Sequence, residues 1–449
     1  MPVLRFQMCK DTKSFRHPQL FNRKKPRSSQ SKAQLEVGKL KVENLSVRWN
    51  IAIFAQLIGK HSKTAAIMTR NWKTIIATIG VSIALSNNAL AKKNQSNWDV
   101  AFDLLRTQSD GQNECCVSPL SLQFALGLVN EGATGQTKKQ IGALLPKKLP
   151  EIGDMIQQSG SISSANSIWI SDDIAASVKA KFIDQNRKKF DAEVRCLPFD
   201  EAAASQINNW CHKKTNGLIP SIIDKLKKDD KMVLVNALHF KADWQSKFDA
   251  SRTKKKQFHL ETGTSNVVEM MEKTSYWNYC EAGNCQIIRM DYEAKTDAET
   301  PSFAMYVLLP EEGKKLSDIL PRLNSEFWQN LSLKSQRIHL QLPKFESDFR
   351  TSLVPALQKM GATRMFTADA QFDKISKTKL CVDDVLQKCV IKVDEDGTEA
   401  AAVTAITMRL TSVGPNAEKP IEMNVNRPFI YILTETTTDT PIFIGIKTK

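Results

Sequence analysis

The chain has 449 residues, 41% of them hydrophobic, with nine cysteines and a formal net charge of +15. This is ample for a large core and by length alone allows two or three domains. The charge suggests a nucleic-acid or anionic-membrane partner, but the first 91 residues carry 16 Lys+Arg against 3 Asp+Glu and the remainder 47 against 45, so the basicity belongs to the front end.

Residues 1–67 contain the run Arg23, Lys24, Lys25, Pro26, Arg27 and no clear hydrophobic periodicity. They read as a disordered extension from an alternative or misassigned start, with the basic run a solvated tail. Met68 then opens a second kind of segment. Arg70 and Lys73 precede an apolar stretch from Thr74 to Leu85, and Ala89, Leu90, Ala91 fit a small-x-small cleavage site. That is the pattern of a secretory signal peptide over 68–91, and it falls short of the roughly 20 residues a membrane span needs. The runner-up is a true basic leader with 68–91 as a signal-anchor. After cleavage the chain begins at Lys92 and enters an oxidising, extracellular compartment. There Asn94 and Asn330 stand in N-glycosylation sequons, and eight cysteines remain. Of these only Cys280 and Cys285, flanking the short EAGN stretch, are spaced to suggest a disulfide.

Further along, the run VLVNALHF around His239 has the composition of a strand. The most informative stretch is VDEDGTEAAAVTA, Val393 to Ala405. From Thr398 to Leu410 every second residue is small or apolar (Thr398, Ala400, Ala402, Thr404, Ile406, Met408, Leu410), while Glu399 and Arg409 fall on the other phase. Alternate side chains of a strand point to opposite faces, so this register sends one row into a core and the other into water. The stretch is bounded by the acidic turn Asp394, Glu395, Asp396, Gly397 and by the loop-like Ser412, Val413, Gly414, Pro415, Asn416. The pattern by itself equally suits an ordinary half-buried strand.

With four other segments in the same order, it resembles the reactive-centre-loop hinge of the serpin family. These are Val117 to Ile141 (VSPLSLQFALGLVNEGATGQTKKQI), Met232 to Phe248 (MVLVNALHFKADWQSKF), Leu340 to Phe366 (LQLPKFESDFRTSLVPALQKMGATRMF) and the closing NVNRPFIYILTETTTDTPIFIGIKTK. The resemblance spans about 350 residues. It implies an α+β serpin fold over 92–449, with three β-sheets, eight to nine helices and an exposed reactive-centre loop over about 394–420. It also implies a serine-protease inhibitor acting as a suicide substrate, in which the cleaved loop inserts into the central sheet and traps the acyl-enzyme. The implied hinge is Glu395, Gly397, Thr398, Glu399, Ala400, Ala401, Ala402, Val403 and Thr404, with Gly397 supplying the bend. The implied shutter is Ser118, Ser121, Asn236 and Gln387, and the implied breach residue is Trp244. Family spacing puts the reactive bond at Thr411–Ser412, with Leu410 or Arg409 as alternatives. A small Thr411 suits an elastase-like protease, Leu410 a chymotrypsin- or elastase-like one, Arg409 a trypsin-like one.

The residue types make physical sense. A strand that slides between two others cannot carry a charge or a bulky side chain on its leading inward positions, and Thr398, Ala400 and Ala402 are small. Non-inhibitory serpins tend to place charged or bulky residues or proline there; such a carrier, chaperone or hormone precursor is the alternative. Thirteen inserted residues run about 43 Å at roughly 3.3 Å each, and ladder bonds at about 1 kcal/mol apiece supply on the order of 10 kcal/mol. Two positions depart from the family: Glu114 replaces a usual shutter asparagine and Gln387 a usual histidine. The short stretch between Ile141 and Asn166 argues against carrying over glycosaminoglycan activation.

Enzyme readings find no support. None of the six histidines stands in HExxH, and no GxSxG, GxGxxG or P-loop occurs. No CxxC or HxxxH spacing calls for a metal, and no cofactor is expected. The expected partner is a target serine protease, with no nucleic acid and no stable membrane span, and the protein is expected to be a secreted monomer.

Overall fold

The computed structural model describes residues 1–8, 96–294, 302–398 and 419–449. The segment 68–91, Asn94 and residues 399–418 lie outside the described residues. Seventeen strands are numbered in chain order: β1 (Pro2–Met8), β2 (Cys115–Val117), β3 (Ile162–Ser171), β4 (Ala192–Leu197), β5 (Asp230–Phe240), β6 (Ala242–Asp243), β7 (Lys254–His259), β8 (Ser265–Ala282), β9 (Cys285–Asp291), β10 (Phe303–Pro310), β11 (Lys334–Pro343), β12 (Phe345–Ser352), β13 (Leu380–Val393), β14 (Gly397–Thr398), β15 (Ile421–Asn424), β16 (Phe429–Glu435) and β17 (Thr440–Lys447). The helices are α1 (Asn97–Gln108), α2 (Pro119–Gly132), α3 (Gly135–Gly142), α4 (Leu149–Gln158), α5 (Asp172–Ala175), α6 (Ala180–Phe190), α7 (Glu201–Lys214), α8 (Leu316–Ile319), α9 (Ser325–Gln329) and α10 (Val354–Lys359). They exceed the expected eight to nine because several are single turns.

All eleven residues of β5 are buried, as the β-branched run MVLV and a strand covered on both faces require. Its alternation divides two apolar clusters. Met232, Leu234 and Phe240 join the main core, whereas Val233, Val235 and Ala237 meet Ile207 and Trp210 of α7 on the other face. Beneath the main face lies α2, buried along most of its length, started by Pro119 and by the Ser118 side chain, which accepts from the Ser121 amide.

The strands form an eight-stranded sheet in the order β4-β3-β5-β1-β13-β14-β6, with β12 on the free edge of β13, and a nine-stranded sheet in the order β15-β11-β8-β9-β10-β16-β17-β2, with β7 on β8. The expected second and third sheets are thus one hydrogen-bonded network. The eighteen-residue β8 joins them, because its first part pairs with β7, its middle with β11 and its end with β9.

The expectation that residues 1–67 lack structure fails for the first eight. β1 lies antiparallel between β5 and β13 and hydrogen-bonds along both. Its side chains explain the placement. Leu4 and Phe6 enter the main core, and Met1 and Val3 enter the cluster under α7, so the segment puts apolar side chains into a core on each face and suits a strand covered on both. Arg5 is also buried and faces Asp230 at 3.8 Å. Burial pushes the Asp230 carboxyl up, and the Arg5 charge offsets only part of this.

The expected Cys280–Cys285 disulfide is absent; both are free thiols, as are the other six cysteines among the described residues. The hairpin register explains this, since Cys285 lies opposite Ala282 and Cys280 opposite Ile287. Burial then drives the Cys285 thiol up to about 12.

Candidate functional site

β5 and β13 are held apart by what lies between them, forming a slot that is filled from both ends. The upper end is built from the acidic turn. The Asp394 carboxylate accepts from the Asp396 and Gly397 amides at 3.0 and 3.2 Å, and the Asp394 amide donates to the Gly397 carbonyl at 3.0 Å. This reverses the chain and lays Gly397 and Thr398 down as β14, with Thr398 opposite both Val393 and Ala242. Gly397 is needed for a reason other than the bend expected of it. Its φ is not positive, but a Cβ there would stand 2.1 Å from the Ala242 carbonyl oxygen, so only a residue without a side chain lets the two strands meet.

Trp244, the expected breach residue, anchors this turn. Its amide donates to the Asp396 carbonyl at 2.7 Å, its indole N–H donates to the Asp394 carbonyl at 2.9 Å, and its ring stacks on Tyr292 at 4.3 Å. Thr398 is buried and shares a 2.5 Å hydrogen bond with the Tyr292 hydroxyl.

The turn's charges are also paired. Lys344 reaches Glu395 at 2.9 Å, and Thr253 donates to the same carboxylate at 2.7 Å. Burial would raise the Glu395 carboxyl, but the Lys344 ammonium and the Thr253 hydroxyl outweigh it and hold it below the usual glutamate range. Asp394 goes the other way, raised by burial despite its two amide donors. Lys247 bridges Asp243 and Asp396 at 2.8 and 3.3 Å and is raised chiefly by its hydrogen bond to Asp243. Tyr292, Lys344, Lys247 and Thr253 were not anticipated. Each lies about 50 to 150 residues from the turn and meets it only through the fold.

Lower down, the four expected shutter residues lie buried beneath the slot. Gln387 of β13 binds Ser118 twice. Its carbonyl accepts from the Ser118 amide and its amide donates to the Ser118 carbonyl, both at 3.0 Å. A side-chain amide supplies both contacts at any ordinary pH, which accounts for glutamine here. The Ser118 hydroxyl donates to Ile442, and the Ser121 hydroxyl donates to the Asn236 carbonyl oxygen. The Asn236 amide then donates to Ser164 and Asn166 at 3.2 and 3.0 Å. The start of α2 therefore holds both walls of the slot. Glu114 stands outside this network, paired with Lys447 at 2.8 Å, so it does not replace a shutter asparagine.

Of the remaining expected residues, Glu399, Ala400, Ala401, Ala402, Val403, Thr404, Arg409, Leu410, Thr411 and Ser412 lie outside the described residues. Asn330 is exposed at the end of α9. Among the described residues no group of three His, Cys, Asp or Glu side chains is placed to hold a metal ion, and no helix is long and apolar enough to cross a membrane.

The large sheet thus has a slot between β5 and β13 that takes up Gly397–Thr398 at one end and β1 at the other, over the buried hydrogen bonds of Ser118, Ser121, Asn236 and Gln387. The family model for serpins (serine protease inhibitors) matches residues 95–448. An uncharacterized serpin-like protein of Thermococcus kodakarensis is 31% identical over 366 residues, covering 77% of this chain and 82% of its own. Among solved structures, the thermophilic serpin tengpin in its native state has a TM-score of 0.68 at 27% identity, over 80% of this chain and 96% of that one. Thyroxine-binding globulin in complex with thyroxine has a TM-score of 0.67 at 25% identity, over 79% and 98%. The chain belongs to the serpin family.

Proposed function

We propose that the protein inhibits serine proteases as a suicide substrate. The carrying observation is β14. Thr398 already makes the first rung with β13 and β6 at the mouth of the slot, and the small residues Ala400, Ala402 and Thr404 follow it at every second position of the sequence. A target protease attacks the carbonyl of Thr411, or of Leu410 or Arg409 in the alternative registers, and becomes an acyl ester with the serine oxygen. The freed loop then zips down the slot from Thr398 and carries the protease with it before water cleaves the ester. The favoured target is elastase-like or chymotrypsin-like, with a trypsin-like one the third choice. The chemistry is the protease's, and the inhibitor supplies the bond and the slot.

Residues 68–91 would direct the domain to secretion, with glycans at Asn94 and Asn330. The test is an SDS-resistant adduct with elastase, chymotrypsin or trypsin, with sequencing of the released fragment; Ser412 as its new amino terminus gives the favoured bond. A non-inhibitory carrier is the second reading, favoured by one observation: the lower slot already holds β1. Cleavage by every protease without adduct and without gain in heat stability would support that reading.

A further inference from the structure

The two fillings of the slot share one register. If the pairing of Thr398 is continued one residue per rung, position 405 of the loop arrives opposite Leu386 on β13 and opposite Val235 on β5. Those two residues are the partners of Val3. By the same count, Ile406 would take the place of Leu4, opposite Val385 and Leu234, and Thr407 the place of Arg5, opposite Asp384 and Val233. At Phe6 the β13 register slips by one, but on β5 it faces Met232, the rung that Met408 would reach. β1 therefore runs in the direction the inserted loop would take. It also puts Leu4 and Phe6 into the main core, where the apolar row of the loop would put Ile406 and Met408.

Between Thr398 and Met1 no described residue fills the slot. A narrow cavity there is lined by Leu238, His239 and Phe240 on one wall and by Cys389 to Lys392 on the other. Those are the rungs of loop residues 399–402, the only ones that can enter while β1 stays.

We infer that the lower slot is a strand-binding site whose ligand in this chain is its own Pro2–Met8 segment, an extended heptapeptide that must leave, with Met1, before loop residues 403–410 can enter. The consequence for inhibition rests on the loop-insertion reading above. β1 is joined to the domain through residues 9–95, and that tether keeps its local concentration high. A cut within the tether, such as cleavage after Ala91, turns the segment into a separate ligand that dilution removes.

The test compares the full chain with its Leu4→Asp/Phe6→Asp variant, in which two carboxylates would have to enter the main core. Hydrogen exchange is followed at the amides of β5 and β13 that face β1, and adduct yield is measured with the protease that cuts the loop. Expelling β1 should raise exchange at those amides by about tenfold or more and raise adduct yield several-fold. Adding the synthetic peptide PVLRFQM to the variant should reverse both effects, and a scrambled peptide should not. Phe6→Ala, which keeps the segment apolar, should give the same shifts at lower amplitude. Unchanged exchange in both variants, or a peptide that does not bind the Leu4→Asp/Phe6→Asp variant, overturns the inference. Exchange and peptide rescue as expected, with no adduct in any form, support the strand site and reject protease inhibition instead.

Discussion

The upper and lower halves of the slot are filled from opposite ends of the chain, and they differ in how they are held. At the top, two residues of strand are secured by a crowd of polar contacts: the Asp394 turn, the Trp244 indole, the Tyr292–Thr398 hydrogen bond and the Lys344–Glu395 pair. At the bottom, a whole strand is held by ladder pairing on both edges and by apolar side chains on both faces, with Arg5 and Asp230 the one charged pair. The top fixes two residues by polar contacts, and the bottom is filled largely by apolar packing. Leu4 and Ile406 would offer the same rung similar side chains, whereas Thr407 in place of Arg5 would leave the buried Asp230 without this charged partner.

The largest effect expected from breaking this contrast is at Thr398. Thr398→Arg places a charge beside the buried Tyr292, where it must be desolvated. Stoichiometry of inhibition should rise by about tenfold or more, with the protein consumed as a substrate. Unchanged stoichiometry would mean that Thr398 does not lead the insertion.

Phe6→Ala comes next. A ring lost from a packed core costs about 3–5 kcal/mol, but only as far as β1 stays bound, because the slot can release it. Heat stability of the full chain should fall, whereas a form processed to Lys92 should not contain the site of the change at all. Equal melting of wild type and variant would show that β1 contributes nothing.

The latch between the halves gives a smaller effect. Asn236→Ala leaves the Ser121 hydroxyl and the Asn166 side-chain oxygen without their partner under the sheet, and stability should drop by about 1–3 kcal/mol in denaturant unfolding. A neutral result would place Asn236 outside the support of the slot.

The smallest effect is at Glu395. Its folded pKa is depressed, so the Lys344 pair contributes fully above the ordinary glutamate value of about 4.3 and is lost as pH falls through the lower folded value. Asp394, raised by burial, acts in the opposite sense, and its penalty disappears on protonation. Glu395→Gln should cost about 1 kcal/mol or less at neutral pH and flatten the acid limb of a stability profile. An unaltered acid limb would exclude the pair as its source.

Much of the upper site was readable in the sequence, because its signals are local. The acidic turn and Gly397 lie within one short segment, whereas the Ser118, Ser121, Asn236, Gln387 and Trp244 positions came from the resemblance to the serpin family. The turn's partners were not readable, since Tyr292 and Lys344 meet it only once the two sheets pack. Gly397 was misread for a related cause: its constraint is the carbonyl of Ala242 across the strand gap, which no local pattern reveals. Cys280 and Cys285 looked paired by spacing, but a hairpin pairs residues by rung. β1 escaped notice because its alternation, Leu4, Phe6 and Met8 against Arg5 and Gln7, covers only five residues. In a front end otherwise basic and without periodicity, VLRF offered only a brief apolar run.

The central claim is that one slot receives the reactive loop and that β1 stands in its way. The most direct measurement is adduct formation with elastase, chymotrypsin and trypsin, for the full chain and for its Leu4→Asp/Phe6→Asp variant side by side. The account predicts an SDS-resistant adduct that is weak in the first and several-fold stronger in the second, with Ser412 at the new amino terminus. Adduct yields that do not differ between the two, or cleavage of both without any adduct, would contradict it.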